Sequence, residues 1–172
     1  LVWNTLIINI YKLIFYFPIP ILFAMFLNQI LSERYKRVLQ TIIYLPHFVS
    51  WVIVAGILFS LLDEDGVVYR VLEIFGVEKF DILADGGGFL TILVLSDIWK
   101  EAGWGAIIYL AALTSISGEY YEAAKVDGAS DLRMFVSITL PLLMPTISVM
   151  LILWVGGLVS GGFDQIYNLY NE

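Results

Sequence analysis

EYYEAAKVDGASDLRMFVSITLPLLMP, residues 119–145, is a charged, proline-punctuated stretch in a chain that is otherwise dominated by apolar residues. Hydrophobic residues occupy 60% of the 172 positions and charged residues 15%, whereas about 25% of a typical soluble domain is charged. The mean hydropathy of +0.87 points the same way. We therefore predict an all-α, polytopic membrane protein whose polar stretches lie outside the hydrocarbon.

Apolar segments lie on both sides of the quoted stretch, and each is long enough for a membrane-crossing helix, which needs about 20 residues. The four predicted spans cover residues 2–31, 38–62, 89–116 and 140–159. The chain opens inside an apolar segment without an initiator Met. We expect a single transmembrane domain, 1–172, of a longer protein whose first and last helices are missing here.

Prolines predict irregularities in two of these spans. Pro18 and Pro20 should bend the first span, because proline removes a backbone donor, and Lys12 in the same span should reach towards an interface. Pro46 predicts a break in the second span. The neighbouring His47 is interpreted as structural, because no Cys or second His is present to share a metal with it.

Basic residues are concentrated on one side of the predicted membrane. Five of the nine Lys and Arg residues lie in the connections after the first and third spans, whereas the 63–88 connection has two basic and seven acidic residues. By the positive-inside rule, residues 117–139 form a cytoplasmic loop. The net charge of -7 argues against nucleic acid as a partner.

The quoted stretch itself predicts a short cytoplasmic helix. Ser117 is a suitable N-cap, and Glu119 follows in the first turn, where the helix dipole favours acidic groups. Gly128 should end the helix, because glycine adopts positive φ without strain. A second short helix, 131–137, should then lead to Pro141 in the first turn of the fourth span. Such a helix suits docking to a partner, and an ordinary interfacial helix is the alternative.

The spacing in this loop resembles the signature of a known family. Glu122-Ala123-Ala124, three residues, Gly128, nine residues, Ile138, one residue and Leu140-Pro141 reproduce the pattern E-A-A-x3-G-x9-I-x-L-P. That pattern is typical of permease subunits of binding-protein-dependent ABC importers. The flanking sequences resemble the carbohydrate-uptake, maltose-permease-like branch and, within it, polysaccharide-type permeases of the LplB kind.

The resemblance implies a type I ABC importer permease core, in which the loop helix is a coupling helix seated on a separate ATPase subunit. The implied ATPase-coupling residues are Glu122, Ala123, Ala124, Asp127 and Gly128. The implied partners are a second permease subunit, identical or different, two ATPase subunits and an extracytoplasmic sugar-binding protein. ATP and Mg would bind to the partner ATPase and no cofactor to this chain, which would lie in a bacterial cell membrane.

Charged residues inside spans are candidates for a substrate path, because burying charge in a membrane is costly. The third span contributes Asp97, Trp99, Lys100, Glu101 and Trp104. Asp97 and Lys100 are spaced to pair on one helix face. The tryptophans would stack on sugar rings, while the charged groups would bond hydroxyls. By the resemblance, Glu101 and Trp104 match the sugar-contact positions, and an internally paired structural cluster is the alternative.

A second candidate stretch follows the glycines of the fourth span. Its polar and aromatic residues are Asp164, Gln165, Tyr167 and Asn168. The glycines could instead serve close helix packing.

Two other function classes are alternatives to the importer. An intramembrane enzyme is disfavoured, because the sequence contains neither H-E-x-x-H nor G-x-S-x-G. A proton-coupled secondary transporter that uses Asp97 and Glu101 remains the alternative, although it would need no coupling loop.

Overall fold

The computed structural model describes residues 2–63, 66–76, 82–157 and 162–170, and throughout these ranges the ordered elements are helices. The prediction of an all-α fold is therefore confirmed for the described residues. The helices are α1 (Val2–Phe15), α2 (Pro18–Gln29), α3 (Glu33–Tyr44), α4 (Trp51–Leu62), α5 (Val67–Ile74), α6 (Gly86–Thr114), α7 (Gly118–Val126), α8 (Asp131–Met134), α9 (Leu140–Gly156) and α10 (Phe163–Leu169). A 3₁₀ turn, Leu45–Phe48, follows α3, and a π turn, Phe135–Thr139, follows α8.

The long helix α6 is the centre of the fold, and α2 packs along it more extensively than any other helix. Small residues allow this close packing, because they let two helix backbones approach. Ala24 of α2 and Ala106 of α6 are fully buried at the contact. Gly103 faces α3 so closely that a Cβ there would collide with the backbone carbonyl of Ile43.

Two helical stretches are apolar and long enough to cross a membrane, Trp3–Gln29 and Asp131–Gly156. The first is interrupted by a turn at Tyr16–Phe17, directly before the predicted bend at Pro18. The predicted second span is a pair of helices that meet at 94°, a broken span or a re-entrant loop. The break follows the 3₁₀ turn that contains Pro46, as the sequence predicts.

The second cytoplasmic helix, predicted as 131–137, is not a separate element. Helix α8 ends at Met134 and passes through the π turn directly into α9. Within that turn the Leu140 N–H donates to the Phe135 carbonyl, five residues back. Pro141 follows and lacks an N–H, so the helical ladder could not continue regularly here. The predicted fourth span therefore extends backwards into the loop as one helix.

Candidate functional site

A cavity of about 400 Å³ opens between α1, α4, α6, α9 and α10. Its polar lining residues are Asn9, Lys12, Asp97, Glu101 and Gln165. Its aromatic lining residues are Tyr16, Trp51 and Trp154. Binding pockets typically combine an apolar or aromatic wall with a few placed polar groups, and this cavity has that composition.

Lys12 and Asp97 form an ion pair on the cavity wall. The Lys12 Nζ lies 2.8 Å from the Asp97 Oδ2, and only 7% of the lysine side chain is exposed. Lys12 also donates to the Gln165 Oε1 at 2.6 Å. Because a buried ion pair needs further hydrogen bonds to offset its desolvation, Gln165 completes the pair and joins α1, α6 and α10.

Gln165 is itself fully buried, and its amide is satisfied on both sides. Its Nε2 donates to the Leu93 carbonyl at 2.7 Å and to the Ser96 Oγ at 2.9 Å. Ser96 donates in turn to the Ile92 carbonyl within α6. A continuous polar network therefore runs from Asp97 through Lys12 and Gln165 into the backbone of α6.

A second cluster lies one turn further along α6 and contacts the broken span. The Glu101 Oε2 lies 2.7 Å from the His47 Nδ1, and the Glu101 Oε1 accepts from Lys100 Nζ at 2.8 Å. Lys100 also donates to the His47 carbonyl at 2.7 Å and lies 5.4 Å from the ring centroid of Trp51. Lys100 thus supplies a donor to a carbonyl in the 3₁₀ turn, where the helical ladder is interrupted.

Trp104 packs on the same histidine. Its ring stacks on His47 with centroids 4.4 Å apart and planes 3° apart, and Phe48 meets it edge-on. The histidine is therefore held at its ring nitrogen, its ring face and its carbonyl by residues of α6. This arrangement agrees with the structural interpretation of His47. The histidine ring also covers one face of Trp104, which was predicted to stack on sugar.

The cavity brings together some of the predicted path residues and leaves others outside. Asp97, Glu101 and Gln165 line it. Those outside its lining are Trp99, Lys100, Trp104, Asp164, Tyr167 and Asn168. Trp99 is 51% exposed, and Tyr167 stacks on Phe163 at the surface. Asn168 donates to the Asp164 carbonyl within α10.

Two expectations about the charged residues, the partner of Asp97 and the position of Lys12, are wrong. Asp97 pairs with Lys12 of α1 instead of Lys100, and Lys100 pairs with its neighbour Glu101. Lys12 does not reach an interface, because it is buried and held by Asp97 and Gln165. The sequence signal for this contact was the single charge of the first apolar segment, Lys12, together with the charged residues of the third, since such charges pair with one another inside membranes.

The loop residues lie at the surface of the molecule. Glu122, Ala123, Asp127 and Gly128 are exposed, and Ala124 is partly buried. Their helix, α7, begins at the predicted N-cap, with the Ser117 side chain accepting from the Glu119 N–H.

The end of α7 also agrees with the sequence. Gly128 has φ +72°, the left-handed conformation predicted for the residue that ends the helix. The Tyr121 hydroxyl lies 2.9 Å from the Thr139 Oγ1 and ties α7 to the π turn before α9. Helix α7 is therefore an exposed element with a direct polar contact to a candidate span.

Residues 17–169 match the family described as binding-protein-dependent transport system inner membrane component. The chain belongs to this family. The resemblance drawn from the E-A-A spacing is thereby confirmed.

Individual family members extend the similarity over nearly the whole chain. The polygalacturonan/rhamnogalacturonan transport system permease protein YteP of Bacillus subtilis (strain 168) is 44% identical over 98% of this chain and 53% of its own length. Protein LplB of the same organism is 43% identical over 98% of this chain and 54% of its own length. The chain thus spans about half the length of these curated relatives.

A solved structure has the same fold. It is the crystal structure of a bacterial alginate ABC transporter in complex with an alginate pentasaccharide-bound periplasmic protein. The match has a TM-score of 0.91 at 44% identity and covers 98% of this chain and 59% of the other. The helices described above are therefore arranged as in an ABC importer permease.

Proposed function

We propose that this chain is part of the transmembrane subunit of an ATP-driven importer of oligosaccharides or polysaccharide fragments. The observation that carries the proposal is family membership over residues 17–169, together with a cavity lined by aromatic and polar residues of α1, α4, α6, α9 and α10. The subunit is a multi-pass component of a bacterial cell membrane. It moves its substrate by alternating access and performs no covalent chemistry.

The substrate class is supported by the relatives and by the cavity. The relatives are named for polygalacturonan, rhamnogalacturonan and alginate, which are polysaccharides. The cavity offers Trp51, Trp154 and Tyr16 as apolar surfaces, while carboxylate and amide groups beside them can bond hydroxyls. Asp97, Glu101 and Gln165 are the path residues that we retain. The remaining predicted positions lie outside the cavity lining and contribute indirectly.

The loop at residues 117–139 couples this subunit to ATP hydrolysis in the ATPase subunits. Helix α7 presents the exposed side chains of Glu122 and Ala123 and the partly buried Ala124, and the two small alanines suit docking into a cleft of an ATPase subunit. Asp127 and Gly128 complete the contact at the end of the helix. Two ATPase subunits hold ATP and Mg, and a second permease subunit and an extracytoplasmic sugar-binding protein complete the assembly.

The energy source tests this proposal. The full-length protein is assembled with its partner subunits and binding protein in proteoliposomes, and uptake of labelled trigalacturonate is measured. We expect uptake to require ATP and Mg on the cytoplasmic side and to be unaffected by a proton uncoupler.

The opposite outcome would support a proton-coupled secondary transporter that uses Asp97 and Glu101. In the folded chain both carboxylates are ion-paired, Asp97 with Lys12 and Glu101 with Lys100. Uptake that an uncoupler abolishes and that ATP removal leaves intact would contradict the importer.

A further inference from the structure

Lys12 is the one buried ammonium among the described residues that line the cavity. An ammonium carries three hydrogens. Within the described part of the chain Lys12 has two partners, the Asp97 carboxylate and the Gln165 amide oxygen. The third N–H has no acceptor among the described residues, and Lys12 lines the cavity.

Asp97 offers the complementary group at the same place. Its Oδ2 accepts from Lys12 at 2.8 Å, and a carboxylate has lone pairs for further donors. Both residues line the cavity, so a donor and an acceptor stand side by side on its wall. The two groups hold each other, and Lys12 is also held by the buried Gln165, which limits the entropy lost when a ligand binds.

We propose that the Lys12–Asp97 pair recognises two neighbouring hydroxyls of a sugar ring in the transported oligosaccharide. One hydroxyl accepts from Lys12 and its neighbour donates to Asp97. Sugar hydroxyls both donate and accept, so a vicinal diol matches the pair without any change in charge. This inference rests on the proposed function and deepens it by assigning a subsite to Lys12.

The charge balance favours hydroxyls over a sugar carboxylate as the recognised group. Lys12 is neutralised by Asp97, and the other cavity carboxylate, Glu101, is neutralised by Lys100. A uronate carboxylate that approached Lys12 would also approach Asp97, and like charges at short range repel. The described part of the cavity therefore has no uncompensated positive charge with which to select an acidic sugar.

The experiment measures binding by protection of a cysteine. The sequence contains no cysteine, so Leu153→Cys places a single thiol of this chain segment on the cavity wall, on a different helix from the pair. In the assembled full-length transporter, its modification by a small methanethiosulfonate reagent is titrated with trigalacturonate and with the methyl ester of trigalacturonate. The two probes share their ring hydroxyls and differ in charge.

The decisive variant is Lys12→Met combined with Asp97→Asn, because it removes both charges and leaves no buried ion unpaired. An unchanged modification rate without probe shows that its cavity is intact. Hydrogen bonds to charged groups contribute enough for a loss of about tenfold or more in affinity. We expect the half-protecting concentration to rise by this factor for both probes.

Three results would overturn the inference. Equal protection of the double variant and the parent by both probes shows that the pair does not contact the ring hydroxyls. A loss confined to the acidic probe shows that Lys12 recognises the carboxylate. A parent that neither probe protects contradicts the proposed substrate class, and the subsite with it, which distinguishes that failure from the first two.

Discussion

The cavity and the α7 loop hold their functional residues in opposite ways. In the cavity, Lys12, Asp97 and Gln165 come from three helices, and Lys12 and Gln165 are 153 residues apart in sequence. In the loop, Glu122, Ala123 and Ala124 are consecutive on one helix. The cavity residues are buried and bonded to one another, whereas the loop residues are largely exposed.

This difference matches two mechanical roles. A buried ion pair with its amide partner ties helices together, because separating them would leave charges unpaired in a low dielectric. The exposed helix α7 is free to bind another chain. We expect α1, α6 and α10 to move together in transport, and α7 to be the part that changes its contacts with a partner.

The largest expected effect follows from breaking the cavity pair on one side. Lys12→Met leaves the Asp97 carboxylate buried without its cation, which costs about 3–5 kcal/mol. We expect the thermal unfolding midpoint of the purified transporter to fall sharply, and Lys12→Met with Asp97→Asn to recover most of the loss.

Lys125→Met is the matched control, because Lys125 is an exposed lysine of α7, and an exposed charge contributes little to stability. A single Lys12→Met variant as stable as the double variant would show that the ion pair does not join these helices.

The sequence predicted both ends of α7 because their signals are local. Ser117 as N-cap and Gly128 as the end of α7 depend on neighbouring backbone groups, and the break at Pro46 depends on a missing N–H. The π turn at Phe135–Thr139 was not predicted, although Pro141 and Pro145 both lie just beyond it. Two prolines so close together were the available signal for an irregular ladder.

The cavity could be predicted only in part, because its contacts depend on how separate helices pack. The spacing along α6 predicted a pair between Asp97 and Lys100, whereas Asp97 pairs with Lys12 in the folded chain. In the same way, the contacts of Glu101 and Trp104 with His47 of another element were not predicted, although Glu101 lines the cavity. Identifying the charged residues was possible from one helix, but choosing their partners required the fold.

A smaller effect is expected from a substitution that strains the backbone at Gly128, the residue that ends α7. Gly128 has φ +72°, so Gly128→Ala should cost α7 about 1–2 kcal/mol even though a Cβ there meets no neighbouring atom. Amide hydrogen exchange across α7 should accelerate by the corresponding factor, with little change in α6.

Gly118→Ala is the matched control for this substitution. Its Cβ also meets open space, and its φ is not positive. Faster exchange in both variants would show that side-chain volume, and not backbone conformation, accounts for the effect.

The smallest expected effect concerns the link between the loop and the membrane helix. Tyr121→Phe removes the hydroxyl that contacts Thr139, a hydrogen bond worth about 0.5–1.5 kcal/mol. Tyr120→Phe is the control one residue earlier, since Tyr120 is 56% exposed. If this bond carries motion from α7 into α9, Tyr121→Phe should lower the number of substrate molecules transported per ATP hydrolysed and leave ATPase activity near the parent value. An unchanged transport ratio would restrict Tyr121 to local stability, and α7 would then move α9 through the chain connection at α8 alone.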